Sequence, residues 1–313
     1  MSTSGSSKAI VAALVANVGI AITKFVAFLI SGASSMLAES VHSLADSGNQ
    51  VLLLIGGKRA QREATEEHPF GYGRDRYVYA FIVAIILFTV GGMFAIYEGI
   101  HKLQNPEPIE RWWIPVGVLV IALILEGFSL RTAVKESNLV RGDQGWVEFI
   151  RRAKAPELPV VLLEDAAAQV GLMLALIGVS VAAITGDGVW DGLGTVCIGV
   201  LLIIVAIILG VEMKSLLVGE GASRDHVSAI KAAILRSDSI PRIIHLKTLY
   251  LGPEELMVAA KITVEHDDTA ATVARAIDDA ETRIREAVPV ARVIYLEPDI
   301  YVACHEPVDT SSR

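Results

Sequence analysis

Ser35-Met-Leu-Ala-Glu39-Ser-Val-His42-Ser-Leu-Ala-Asp46-Ser-Gly-Asn49 lies inside a run long and apolar enough to read as a membrane span. A charge at the centre of a bilayer costs at least about 2.5–3.5 kcal/mol on insertion scales, so a membrane helix rarely carries one without a use. His42 and Asp46 are four residues apart and therefore project from one helix face. Far downstream, Pro159-Val-Val-Leu-Leu-Glu164-Asp165-Ala-Ala-Ala-Gln169 places a third ligand-type residue, Asp165, in another apolar run. An imidazole and two or three carboxylates in a low-dielectric surround suit a small divalent cation.

Outward from these stretches the chain keeps the same character. It has 313 residues, 53% of them hydrophobic, and a mean hydropathy of +0.52, too apolar for an ordinary soluble protein. The apolar residues come in blocks of about twenty, the length that crosses ~30 Å of hydrocarbon. A net charge of −8 argues against nucleic acid as a partner. Cys197 and Cys304 are too far apart to outline a disulfide framework and fit a reducing compartment. No cleavable signal is evident: residues 1–8 hold one basic residue, and the apolar stretch after them is long enough to span.

The pattern predicts six spans, over residues 9–30, 34–57, 77–103, 113–130, 158–185 and 189–210. Basic residues cluster after the second span (Lys58, Arg59, Arg62, Arg74, Arg76) and after the fourth (Arg131, Lys135, Arg141, Arg151, Arg152, Lys154). The alternate loops are poor in them, so the basic loops and both termini are expected on the cytoplasmic side. Trp112, Trp113 and Trp190 fit an interfacial aromatic belt. After Lys214 the composition becomes soluble and mildly acidic. Residues 225–237 and 269–287 read as helices, and 243–251, 256–264 and 291–301 as strands, with Gly252-Pro-Glu-Glu255 as a turn. The order α-β-β-α-β predicts a small two-layer α+β domain. The expected fold is thus an α-helical membrane protein: a six-helix transport domain over 1–218 and a cytoplasmic, ferredoxin-like α+β domain over 219–313.

Further residues could carry chemistry. Glu164 sits beside Asp165 and points about 100° away on the helix. It is open as a fourth ligand, a proton carrier or a buried partner of Lys24. Glu39 shares the face of His42 and reads either as a carboxylate at the aqueous rim or as a waystation or support for His42. Asn49 falls on the same face and could line the cavity or donate a supporting hydrogen bond. Glu98 and Glu126 read as helix-packing or interfacial carboxylates, with a role in transport as the alternative. In the loop Glu66-Glu67-His68-Pro-Phe-Gly71-Tyr72-Gly73, His68 is a weak candidate for a surface metal site. The Gly-Tyr-Gly stretch is no phosphate loop, since no Lys-Ser/Thr follows it. His245, His266 and Asp267-Asp268 fall in no tight ligand spacing, and Cys304-His305 is a soft-ligand pair on a tail. No nucleophile elbow, Walker motif or H-E-x-x-H is present, and an enzyme is not expected.

The pattern resembles the cation diffusion facilitator family of divalent-metal/proton antiporters over nearly the whole chain. The residues that carry the resemblance are Ala38-Glu39-Ser-Val-His42-Ser-Leu-Ala-Asp46, His68-Pro-Phe-Gly71-Tyr-Gly73-Arg74 and Ser215-Leu-Leu-Val-Gly219-Glu220. The resemblance implies a tetrahedral transport site of two residues from the second span and two from the fifth. His42 and Asp46 match the first pair, and Asp165 the second member of the other. Val161 stands where that pair commonly begins with His, which leaves Glu164 or a water for the fourth position, with Glu39 behind them. His68 matches a histidine that binds a second metal in some members, while Tyr72 replaces its companion. His245 matches one regulatory ligand, but Lys261 and Tyr295 stand where other members have histidines. The C-terminal domain is then expected to serve mainly homodimerisation.

The function expected is secondary export of Zn2+ from the cytoplasm in exchange for protons, with Mn2+ or Fe2+ as other cargoes. The partners expected are the ion, protons, lipid and a second copy of the chain, in a cell (inner) membrane, without a prosthetic group. A metal-responsive membrane scaffold or sensor without transport is the alternative.

Overall fold

The computed structural model describes residues 3–237 and 239–301, with side chains from Asn17 onward. Cys304 and His305 lie outside the described residues. The chain divides into two units, Met1–Lys58 with Asp75–Lys214, and Arg59–Arg74 with Ser215–Arg313.

The first unit is built of long helices. α1 (Thr3–Ser31) and α2 (Ser34–Ala60) are followed by α3 (Asp75–Ile86), a π-helical segment (Leu87–Met93) and α4 (Phe94–Gln104). The last three run on as one helix, Asp75–Gln104. Then come α5 (Trp113–Arg141), the short α6 (Trp146–Arg152), α7 (Glu157–Thr185) and α8 (Val189–Val218). Among the described residues Asp75–Gln104, α5, α7 and α8 are long and apolar enough to cross a membrane. α2 has the length, 27 residues, but its buried face carries Glu39, His42, Ser43 and Asn49. The helices outlast the apolar runs: α5 ends at Arg141 rather than near residue 130, and α8 at Val218 rather than near 210. Hydropathy marks where lipid contact stops, whereas the helix continues through Arg131–Arg141 because no Gly or Pro interrupts it before Gly142. Pro115 and Pro159 fall in the first turns of α5 and α7, where a missing N–H breaks no helical bond.

Glycines set how closely these helices approach. Gly92 and Gly99 on Asp75–Gln104 meet Gly199 and Gly192 on α8 in antiparallel order. A Cβ on Gly99 would stand 2.7 Å from the Val196 backbone nitrogen, and one on Gly199 2.7 Å from that of Ile96. Such contact favours helix association in lipid, where burial of apolar surface no longer drives it. The tight α1–α2 turn is clamped from two other helices. Gly32 takes the left-handed conformation (φ +67), and Lys102 of α4 donates to its carbonyl at 3.0 Å. Asp191, fully buried at the start of α8, accepts from the backbone N–H and hydroxyl of both Ser34 and Ser35. A carboxylate is placed there because the first N–H groups of a helix have no internal partners and carry its positive dipole end.

The second unit has the expected αββαβ order. α9 (Arg224–Leu235) precedes β1 (Ile243–Gly252) and β2 (Glu255–Thr263), and α10 (Ala270–Ala287) precedes β3 (Ala291–Asp299). The sheet order is β1-β2-β3, with β1 and β2 antiparallel and β2 and β3 parallel. A parallel pair needs a crossover, and α10 supplies it. Along β2, Leu256, Val258, Ala260 and Ile262 are buried while the residues between them are half-buried, the period of two that one covered face imposes. Ser223 and Thr269 cap the two helices, each accepting from the backbone N–H three residues on. The loop Arg59–Arg74 packs against this domain: a Cβ on Gly73 would stand 2.8 Å from the Leu251 carbonyl oxygen.

Candidate metal centre

At the second turn of α2 Glu39, 0% exposed, receives the Lys24 ammonium of α1 at 3.0 Å, and Lys24 also donates to Ser43 at 2.7 Å. Glu39 is therefore buried in an ion pair rather than placed at an aqueous rim. One turn on, His42 is 1% exposed and its Nε2 lies 3.4 Å from Oδ2 of Asp46. That contact lacks hydrogen-bond geometry: both ring nitrogens of His42 and Oδ1 of Asp46 are buried without a hydrogen-bond partner. Nδ1 of His42 faces the π-helical segment, where a Cβ on Gly91 would stand 3.9 Å from it. Further along, Asn49 donates to Oε1 of Glu164 at 2.7 Å. Glu164 is thus the partner of Asn49, and Lys24 that of Glu39.

Between α1, α2, α5 and α7 lies a small polar pocket of about 20 Å³, room for one water-sized particle. Asn17 of α1, Ser43, Asp46 and Gln50 of α2, Glu126 and Ser129 of α5, and Asp165 of α7 line it. Asp165 accepts from the Ser129 hydroxyl at 2.8 Å, which fixes its carboxylate at the wall. Buried polar atoms in native proteins are almost always paired, so a cluster of unpaired nitrogen and oxygen beside an acidic pocket is an arrangement that a cation completes. Among the described residues no three His, Cys, Asp or Glu side chains already stand together as a metal cage.

Glu126, for which the sequence favours a packing or interfacial place over a transport role, lines this pocket. The signal was available: Glu126 and Ser129 are three apart on one face of an otherwise apolar helix. His68 is exposed, and its ring meets that of Tyr72 edge-on at 4.7 Å. In the sheet, His245 lies opposite Lys261 in the β1–β2 register. The Lys261 ammonium sits 2.9 Å from Asp299 and 3.2 Å from Glu297. Its hydrogen bonds to Asp299 and then Glu297 raise its pKa.

Residues 10–218 match the family described as the cation efflux transmembrane domain. The chain belongs to the cation diffusion facilitator family. It is 31% identical over 242 residues to the mitochondrial proton-coupled zinc antiporter of Xenopus laevis, covering 76% of this chain and 43% of that protein. It is 29% identical over 260 residues to metal tolerance protein C4 of Arabidopsis thaliana, covering 82% of this chain and 57% of that protein. A zinc transporter of Pectobacterium atrosepticum is 30% identical over 122 residues, 39% of this chain and 37% of its own length. The chain thus spans about half the length of the first two relatives. In this cation diffusion facilitator Val161, the position without a ligand, packs on the apolar cluster of Ala133, Phe149 and Leu162.

Proposed function

We propose that this chain is a secondary transporter that exports a divalent transition-metal cation, Zn2+ first among them, from the cytoplasm in exchange for protons. The observation that carries the reading is the set of unpartnered buried atoms on His42 and Asp46 beside a pocket that Asp165 closes from α7. The relatives' names, a proton-coupled zinc antiporter and a zinc transporter, support both the cargo and the coupling.

The coupling follows from the ligand chemistry. A metal binds imidazole and carboxylate only in their deprotonated forms, so loading the ion releases protons and reprotonation expels it. Imidazole is the side chain that changes charge most readily near neutrality. Rocking of the helices about the site would expose it to each side in turn. In this reading His42, Asp46 and Asp165 hold the ion, and Glu164, beside Asp165 and held by Asn49, is released to it if Asn49 lets go. His68 marks a weaker surface site. The helical unit sits in a cell membrane, with the basic loops and the C-terminal domain on its cytoplasmic side. Residues 1–218 transport, and 219–313 hold two copies together.

Zn2+ uptake into proteoliposomes under an imposed pH gradient tests the reading. Asp46→Ala should abolish flux while the protein stays monodisperse, and wild-type flux in that variant would remove the site from α2. The competing reading is a metal-responsive scaffold that moves nothing. It draws on Val161, an apolar residue where the family commonly has a His and packed here on an apolar cluster, and it predicts Zn2+ binding by the wild type without any flux.

A further inference from the structure

Two cavities meet at Glu126. One is the small polar pocket with Asp46 and Asp165. The other is a crevice of about 600 Å³ between α1 and α5, with apolar walls such as Ile121 and Leu125. Asn17, Ile20, Glu126 and Ser129 line both. A carboxylate at such a junction is costly to keep, and a cationic neighbour is its ordinary explanation. The buried cation of α1 does not provide one, because Lys24 is committed to Glu39 and Ser43. What faces Glu126 across the small pocket is the site itself, since Asp46 and Asp165 line the same pocket. Independently, His42 is 1% exposed, has no hydrogen-bond partner at either nitrogen, and directs Nε2 toward Asp46 at the pocket wall.

We infer that Glu126 is an oxygen ligand of the transported cation, supplied by α5 to complete a set of three carboxylates and one imidazole. This rests on the transport reading above and deepens it. With Asp46 and Asp165 it places three carboxylates around room for one small particle. Ser129, one turn on, holds Asp165 in place by its hydroxyl and leaves Glu126 free to swing toward the ion. The donor set becomes rich in hard oxygen. It takes Mn2+ or Fe2+ along with Zn2+ and discriminates against softer ions such as Cd2+.

The test uses the full chain, purified and reconstituted, with Zn2+, Mn2+ and Cd2+ added singly to wild type, Glu126→Gln, Glu126→Asp and Asp46→Ala. Dissociation constants are read by calorimetry and KM by flux. Glu126→Gln should weaken Mn2+ binding at least about tenfold, weaken Zn2+ less, and narrow the preference over Cd2+. Glu126→Asp should recover part of the Mn2+ affinity, and it carries the test alone if the Gln variant does not purify as a monodisperse peak. Unchanged Mn2+ affinity and unchanged selectivity overturn the inference, as does a loss of flux with every dissociation constant intact. Asp46→Ala separates the two levels. If it abolishes binding while Glu126→Gln is silent, only the role of Glu126 falls. If both are silent, the transport site itself is misplaced.

Discussion

The Lys24–Glu39 pair shows how a single residue binds one helix to another in this protein. Its side chains are 1% and 0% exposed, so neither charge has water to fall back on. Removing one partner from such a pair leaves an uncompensated charge and costs about 3–5 kcal/mol, whereas replacing both can be neutral. Lys24→Met should therefore lower the thermal unfolding temperature in detergent sharply, and Lys24→Met combined with Glu39→Gln should restore most of it. A double variant as unstable as the single one would mean that the pair itself, and not the stranded carboxylate, holds α1 to α2. In the C-terminal domain, burial and then the nearby Glu220 raise the pKa of Tyr250 above its ordinary value near 10.0. A raised folded-state pKa gives stability that is complete below the unfolded value and is lost as pH climbs through the folded one. Lys261, raised from 10.5 by Asp299 and Glu297, acts in the same direction. The domain should hold its stability up to about pH 10 and weaken above it, and Tyr250→Phe should flatten that alkaline slope in a pH series of unfolding curves.

At the scale of the element, α2 depends on contacts supplied by other helices more than on its own sequence. Its start is capped from α8: Asp191 accepts from Ser34 N–H at 2.6 Å and from Ser34 Oγ at 3.0 Å, besides the two groups of Ser35. Loss of an N-cap costs about 0.5–2 kcal/mol, and hydrogen bonds to a charged group are worth about 1.5–3 kcal/mol each. Asp191→Ala should therefore destabilise the membrane unit by at least about 2 kcal/mol, because it leaves buried N–H and hydroxyl groups unpaired. Hydrogen exchange at Ser34–Met36 should rise with it, and protection equal to wild type there would show that the cap does not fix the start of α2. The π-helical segment is the other element whose role is local. Its extra residue per turn brings Gly91 against His42, and the missing side chain leaves room beside the ring nitrogen.

At the scale of the whole molecule, the sequence and the fold agree on the parts that have a period. Long apolar runs form the helix Asp75–Gln104, α5, α7 and α8, and alternation in Leu256–Ile262 forms a sheet face. Proline and glycine placed the helix starts and the turns: Pro159 in the first turn of α7, and Gly186 in the left-handed conformation (φ +71) just past its end. His42, Asp46 and Asp165 were also legible, since ionisable groups stand out against an apolar background and four-residue spacing states which of them share a face.

Pairing between helices was not legible in the same way. That Lys24 meets Glu39, that Glu164 meets Asn49, and that Glu126 shares a pocket with Asp46 and Asp165 depend on which faces of α1, α5 and α7 turn toward α2. Asp191, 157 positions from Ser34, caps it only because α8 packs back on the α1–α2 turn. Local physics acts over one or two turns of chain, so the sequence alone determined the long helices, the strands, their order and the face of α2 that carries His42 and Asp46, but not α6 or the π-helical segment. Contacts across many tens of residues follow from close packing of whole helices, down to glycines that admit a backbone at 2.7 Å, and only the tertiary structure could decide them.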